Sequence, residues 1–416
     1  MKSALTITLL SSLVLATSGT VLAETGTVTD DIPYEWAPWK DPNDEYTLKM
    51  NKGLNDLFIR RDLSKDPKNA PGLYYPNRYE VGPMWSSIPT LLGAPLARTP
   101  EDLTAGNVDV ALVGLIVGDQ MVPGGRYAAM QMRSLVDYLM YPFAGSDQAT
   151  GVDISKLVVA DYGNAAANWM ADNQINLDEI HRVVGSALNV DVVPIGVGGT
   201  HIQSYAFLTA LAQKYGKGEV FVVHIDAHYD AYKQDAGRYV HNGSFFKMAV
   251  EEGLINGSDL AHVGLRGSTP GPQTLSWLRK HKVKFHFQAE IERDGWDAVL
   301  ERVLAEAKGR KVYITFDMDG VDPAYAPGVG TAEPDGLTAG QAMQLVRALG
   351  IQNEIVAAEF NEYNPLLDDL HQNTGILMDR LIRSLLAGMQ GRREGITDPM
   401  YYDPERISHD SPINKK

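Results

Sequence analysis

Residues Val312–Thr338 read VYITFDMDGVDPAYAPGVGTAEPDGLT, and how this stretch is read decides the fold. Val312, Tyr313, Ile314, Thr315 and Phe316 are β-branched or aromatic and predict a strand. That strand runs into Asp317 and Asp319, two positions apart. On an extended backbone residues i and i+2 point to one face, so both carboxylates aim at one spot. The Pro- and Gly-rich remainder cannot continue as strand or helix. Two acids at the carboxyl end of a strand, opening into a rigid loop, form half of a metal site.

The other half lies upstream. Val220–Asp230 reads VFVVHIDAHYD, again an apolar run ending in polar residues. Asp226, His228 and Asp230 stand at i, i+2 and i+4, which an extended chain would place on one face. His201, in GVGGTHIQS, adds a second imidazole. Two His and four Asp from three strand ends suffice for two metal ions that share carboxylates. Mixed imidazole and carboxylate donors suit Mn, Fe, Ni, Co or Zn. His224 lies two residues deeper in its strand, which suits a buried supporting role better than ligation. His262, His286 and His371 stand in no recognisable pattern.

From Val108 onward strands and helices alternate. Strands are predicted at Val108–Gly114, Lys156–Tyr162, Val190–Gly198, Glu219–His228, Leu260–Arg266, Val283–Phe287, Lys311–Met318 and Glu354–Phe360. Helices are predicted near Tyr127–Leu139, Leu177–Leu188, Ile202–Tyr215, Ser244–Glu252, Gln273–Lys280, Trp296–Lys308, Ala339–Leu349 and Thr374–Met389. This pattern predicts an α/β protein: an eight-stranded, mainly parallel sheet covered by helices on both faces, three layers in all. Sites in such sheets lie at the carboxyl ends of the strands, where all three ligand-bearing motifs fall.

DAHYD and FDMDGVDPAYAPGVGTAEPDGLT, with GGTH ahead of them, make the chain resemble the ureohydrolases, the arginase and agmatinase family, over about Val108 to Gln390. The resemblance implies the arginase/deacetylase fold, a homo-oligomer (trimer or hexamer) and two divalent ions per chain. Manganese is the family's usual metal and nickel the alternative. It places His201, Asp226, Asp230 and Asp317 on one ion and His228, Asp226, Asp317 and Asp319 on the other. Two ions about 3.5 Å apart lower the pKa of a shared water, which a poor electrophile such as a guanidinium carbon requires. Glu362, in AAEFNEYNPLLDD, matches the acid that receives the guanidinium. His241 stands where agmatinase-like members carry a His before a Gly-Ser/Thr step, here separated by Asn242; it would shuttle a proton. The reaction implied is hydrolysis of a small cationic guanidino compound, agmatine-like, to urea and an amine.

The sequence departs from the family pattern at Thr200, Asn164, Ala332, Asp335 and around Asn361–Asn364, and no arginase-like clamp for an amino acid is recognisable. Guanidine and guanidinobutyrate therefore stand beside agmatine as substrates. A non-catalytic exported protein that binds metal or guanidinium is the alternative from another class. A one-metal zinc deacetylase would leave His201 and Asp230 without a purpose. Asp161, Gly163, Gly125 and Arg126 read as architecture.

The rest of the chain bounds these readings. Residues 1–23 read as a signal peptide, with Lys2, an apolar run Ala4–Leu15 and a Val21-Leu22-Ala23 cleavage site, so an exported protein is expected. Residues 24–106, rich in Pro, Tyr and Trp, are expected to pack on the core or on a neighbouring subunit. Residues 107–392 form the catalytic domain and 393–416 a tail. The 416-residue chain has no Cys, which excludes disulfides and Cys–metal chemistry. Its formal net charge of −15 argues against nucleic acid or an anionic membrane as partner.

Overall fold

The computed structural model describes residues 70–75, 88–118, 124–135, 147–165, 173–232, 241–267 and 271–407. The expected signal peptide and most of the N-terminal extension lie outside them. Eight strands form one sheet: β1 (Val110–Leu115), β2 (Val159–Ala165), β3 (Val193–Val197), β4 (Val220–Ile225), β5 (Leu260–Leu265), β6 (Lys284–Phe287), β7 (Lys311–Asp317) and β8 (Glu354–Asn361). Their spatial order is β2-β1-β3-β8-β7-β4-β5-β6, and every adjacent pair is parallel. Each expected strand is present, shifted by a few residues at its ends.

The helices are α1 (Pro100–Ala105), α2 (Ala128–Ser134), α3 (Asn173–Asn189), α4 (Ser204–Tyr215), α5 (Phe245–Glu251), α6 (Pro272–Lys280), α7 (Gln288–Asp294), α8 (Trp296–Ala307), α9 (Ala339–Gln352), α10 (Asn373–Arg393) and α11 (Pro404–Ile407). The short α1, α7 and α11 were not expected; four to seven residues are too few to show a helical period. The predicted helix Tyr127–Leu139 is seen as α2, and residues 136–139 lie outside the described part.

Strand alternation divides the core in two. Val312, Ile314 and Phe316 of β7 face the layer containing α8, α9 and α10, with Val303, Leu345 and Leu381. Tyr313 faces the other layer, containing α3, α4 and α5, with Val184, Phe207 and Phe246. Each fully buried large apolar side chain contributes about 1.5–3 kcal/mol, so both faces of the sheet are strongly held. The start of α9 is fixed by a capping box, in which Thr338 and Gln341 satisfy each other's backbone N–H groups. Thr338 thus ends the DxD stretch and begins the helix that returns the chain to β8.

Residues 88–97 run along the outer edge of β2, where Leu96 pairs with Asp161. The Asp161 carboxylate, fully buried, accepts two hydrogen bonds from Arg133, each 2.8 Å, and one from the Leu91 N–H at 2.9 Å. This one side chain fastens α2 and the incoming segment to the sheet edge. Asp161→Ala should therefore cost about 3–5 kcal/mol, the loss expected when a buried pair is broken from one side. Denaturant unfolding checks it, and an unchanged midpoint would show that Arg133 finds another partner without penalty.

Candidate metal centre

The four central strands, β3, β8, β7 and β4, deliver their carboxyl ends to one place. After β3 the chain turns through Gly198 and Gly199, at φ 88° and 77°, a conformation open to glycine at no steric cost. The turn brings His201 in at the head of a 3-10 turn (His201–Gln203) that leads into α4. β7 ends at Asp317 itself, and Asp319 follows in a 3-10 turn (Met318–Gly320) whose N–H is capped by the Asp317 side chain.

The local geometry differs from the extended run read from the sequence. β4 stops at Ile225, so Asp226, His228 and Asp230 occupy a bent loop and not one strand face. Asp230 has φ 45°, and Glu362, just past β8, has φ 63°. Carboxylates in left-handed backbone cost of order 1–3 kcal/mol each and tend to persist where function requires them. The strand period located the residues; the loops aim them.

The side chains converge closely. His201 Nδ1 lies 3.1 Å from Asp226 Oδ2, 3.1 Å from Asp230 Oδ2 and 3.1 Å from Asp317 Oδ2. His228 Nδ1 lies 3.3 Å from Asp226 Oδ1 and 3.0 Å from Asp319 Oδ2. Asp226 therefore turns one oxygen to each histidine and belongs to two donor groups at once. His224 Nε2 also approaches Asp226 Oδ2, at 2.8 Å.

The electrostatics show what this arrangement demands. Burial, with Asp319 and Asp226 alongside, pushes the Asp317 carboxyl well above its ordinary range. Burial and Asp226 push Asp230 up to about 6. Burial opposes charge on His201, but hydrogen bonds to Asp226, Asp230 and Asp317 outweigh it and raise the ring well above its ordinary range. The same balance, with Asp226 and Asp319, raises His228. Four buried acids share two such imidazoles, and further cations among them would relieve the remaining repulsion. The donor set, all imidazole nitrogen and carboxylate oxygen, fits a pair of divalent transition ions.

Supporting contacts fix the donors. His201 Nε2 lies 2.8 Å from Thr315 Oγ1, which leaves Nδ1 facing the acids. Thr315 meets Ser204, and Ser204 and Tyr313 both donate to the buried Glu359. Thr331 donates to Asp319 Oδ2 at 2.9 Å. Sequence reading did not single out these residues. Thr315 was findable, since it lies two positions before Asp317 on the same strand face, and Glu359 is its register partner on β8. Arg266 braces the long loop by donating to the carbonyls of Asp319 and Glu333, among others.

Glu362 joins the cluster: its Oε1 accepts from the His201 N–H at 2.6 Å, and its own N–H donates to Gly199 O at 2.9 Å. His241 stands in the turn before α5. Its Nδ1 accepts from the Gly243 N–H at 3.1 Å, so a neutral ring carries its hydrogen on Nε2. The turn is tied to the cluster by Asn242, whose Oδ1 accepts from the Ile202 N–H at 3.0 Å. Asn242, an interruption of the familiar pattern, is thus an anchor. A cleft of about 430 Å³ lined by Tyr215, Arg310, Lys311 and Arg392 lies at the opposite, amino end of the strands and shares no residue with this cluster.

The arginase family's sequence profile matches residues 108–388. The chain belongs to the arginase family. A guanidinobutyrase of Pseudomonas aeruginosa is 32% identical over 321 residues, covering 74% of this chain and 94% of that protein. A mitochondrial agmatinase of Gallus gallus is 32% identical over 327 residues, covering 76% and 91%. Among solved structures, a hypothetical agmatinase from Burkholderia thailandensis superposes with a TM-score of 0.66 at 28% identity, covering 78% of this chain and 99% of that one. Its arginase-family relatives support a metal-dependent hydrolase, and its all-parallel three-layer fold is the one that the family resemblance implied.

The shared position of Asp226 sets up a test. Asp226→Ala should lose both ions, whereas His201→Ala should mainly weaken one. Metal content per chain after equilibration with Mn2+ and desalting reads this out. Two tightly held ions in the Asp226→Ala protein would show that Asp226 does not bridge.

Proposed function

We propose that this arginase-family chain hydrolyses a C–N bond of a small guanidino compound, agmatine-like in size and charge, to urea and an amine. The observation that carries the reading is the split of Asp226 between two histidine-centred donor groups, with Glu362 fastened to one of them through the His201 N–H. His201, Asp226, Asp230 and Asp317 would hold one divalent ion, and His228, Asp226, Asp317 and Asp319 the other. Manganese is the first choice and nickel the second. When bound, such a pair supplies a water acidified towards neutral pH.

The remaining work falls to the chain's own residues. Glu362 is buried and already accepts a hydrogen bond, so its carboxylate presents a fixed acceptor to the N–H groups of a guanidinium. His241, with Nδ1 held by Gly243, would give its Nε2 proton to the departing amine and regain one at the same atom from the attacking water, so that the ring ends neutral. The four acids would offset most of the charge of the two ions, so that a cationic substrate is not repelled. The similarity to a guanidinobutyrase supports a second substrate, guanidinobutyrate, on the same machinery; guanidine itself, without a tail, is the third. Export, with cleavage after Ala23, and assembly as a trimer or hexamer complete the proposal. Intact mass of protein from the native host and light scattering test them.

Two substitutions separate the roles. Glu362→Gln should lower kcat and raise KM together, because orienting a cation matters in ground and transition states. His241→Asn should lower kcat by about 10²–10⁴-fold with KM largely kept. A His241→Asn protein with full kcat would remove it from the chemical step.

The substrate is read by urea release from agmatine, guanidinobutyrate, guanidine and arginine, using Mn- and Ni-loaded protein. Agmatine should give the highest kcat/KM. Arginine proving best would overturn the absence of an amino-acid clamp. No urea from any of them, in fully metallated protein, would favour a non-catalytic binding protein.

A further inference from the structure

Asp319 heads a loop whose two ends are gathered by one side chain. Arg266 follows β5, just past an irregularity in that strand at Gly264, where φ is 97°. Bulges of this kind re-aim the residues beside them. The Arg266 backbone N–H donates to Ala227 O at 3.0 Å, between Asp226 and His228. Its side chain is buried, and all its acceptors are backbone carbonyls. Nη2 donates to Asp319 O at 2.6 Å, Val321 O at 3.3 Å and Glu333 O at 2.6 Å. Nη1 donates to Gly320 O at 3.4 Å and Gly264 O at 3.2 Å. Nε donates to Pro334 O at 3.0 Å and Glu333 O at 3.2 Å. The fork therefore spans the loop where it leaves β7 and where it returns. A guanidinium offers five N–H donors in a fixed plane, whereas an ammonium offers its three from one point.

The rest of the neck closes in the same place. The Leu337 N–H donates to Gly320 O at 3.1 Å, and the Asp322 N–H to Leu337 O at 2.9 Å. The Asp322 carboxylate accepts from the N–H groups of Asp335 and Gly336, at 2.7 Å and 3.1 Å. From this neck the loop sends Thr331 back to Asp319 Oδ2, at 2.9 Å. The other oxygen, Asp319 Oδ1, accepts from the Ala227 N–H at 3.1 Å. Both carboxylate oxygens of Asp319 are thus aimed by segments that Arg266 ties down. Thr331 stands two residues before Glu333, and Ala227 accepts from the Arg266 N–H. None of the Arg266 hydrogen bonds goes to His201 or Asp230.

We infer that Arg266 is a positioning residue for one half of the metal centre. By closing the neck of the loop it aims Asp319 and Thr331, so the ion assigned to His228 and Asp319 depends on it. The ion assigned to His201 and Asp230 does not. Groups that orient metal ligands typically cost about 10–100-fold in metal affinity when they are lost. Lysine at this position would serve one end of the loop and not both, so the usual conservative exchange is here a disruptive one. The inference rests on the metal centre proposed above, but the neck of the loop can be read without any ion bound.

The test begins with hydrogen exchange in metal-free parent protein. The N–H groups of Asp322 and Leu337 should exchange as slowly as those inside β7. Fast exchange at the neck, with β7 protected, would show that ions and not Arg266 close the loop, and overturns the inference. Two variants follow, each titrated with Mn2+ by calorimetry and by electron paramagnetic resonance. Arg266→Lys keeps the charge and removes the fork. Gly336→Ala keeps Arg266 but sets a methyl group 2.7 Å from its Nη2 and 2.5 Å from the Asp322 nitrogen, which forces the neck apart. Each variant should hold one Mn2+ at close to the parent's affinity and the second about 10-fold more weakly or worse. Its spectrum should change from that of a spin-coupled pair to the six lines of an isolated Mn2+. Parental affinity for both ions in Arg266→Lys overturns the positioning role, and so does equal weakening of both. If neither variant folds, exchange at the neck of the parent still decides. A parent protein that binds no Mn2+ or Ni2+ would instead overturn the metal centre itself, a result distinct from unchanged affinities in proteins that do bind.

Discussion

Like charges forced together in a dry place are the constraint on which this structure depends. Asp226, Asp230, Asp317 and Asp319 are all buried, and all lie within reach of two imidazoles. Such a cluster is unfavourable unless its members are hydrogen-bonded and compensated. Much of the surrounding architecture can be understood as supplying that. Backbone N–H groups of Ala227, His228 and Asp319 each donate to one of the acids. Thr331 adds a hydroxyl, and Thr315 fixes the far nitrogen of His201. Two strongly packed helical layers hold the strand ends that bear the cluster, so local repulsion is met by burial elsewhere in the sheet.

The parallel sheet was legible because its signal is redundant. Eight apolar runs separated by helical patterns leave little choice of architecture, and the acids at Asp317 and Asp226 mark which strand ends matter. The ligand residues were legible by type and spacing, yet the reason assumed for their convergence was partly wrong. A strand continuing to Asp230 would have put three side chains on one face. The chain bends after Ile225, and Asp230 reaches His201 from a left-handed backbone that no hydrophobic period encodes. Glu362 shows the same limit: its identity could be matched, its φ of 63° could not.

What stayed hidden was the support. His262 has no pattern of its own in the sequence; it meets His224 only through the register of β4 and β5, and register between two strands is a tertiary fact. Asn242 looked like an interruption between His241 and Gly243, and only the contact with the Ile202 N–H gives it a purpose. Glu359 could have been recognised only by knowing that β8 lies beside β7, which brings it opposite Thr315. For His262 and Glu359 the missing information was which strand neighbours which, and for Asn242 it was which loops meet. Residues that touch a ligand carry the chemistry in their type, whereas residues that hold them carry it in their neighbours.

The strand order has a consequence for how the chain matures. β3 and β4 follow one another in sequence, yet β8 and β7 stand between them in the sheet. Synthesis from the amino terminus delivers His201 and the Asp226–Asp230 loop long before Asp317, and Glu362 later still. Until residues 311–361 have emerged, the two halves of the sheet have a gap two strands wide between them, and the early acids lack the partners that aim them. An ion captured at that stage would meet an incomplete set of donors. Assembly of the centre is therefore a late event, set by insertion of the final two strands. A chain truncated ahead of β8 would retain all six of the proposed metal ligands, yet β3, which leads into His201, would have lost the strand that joins it to β7.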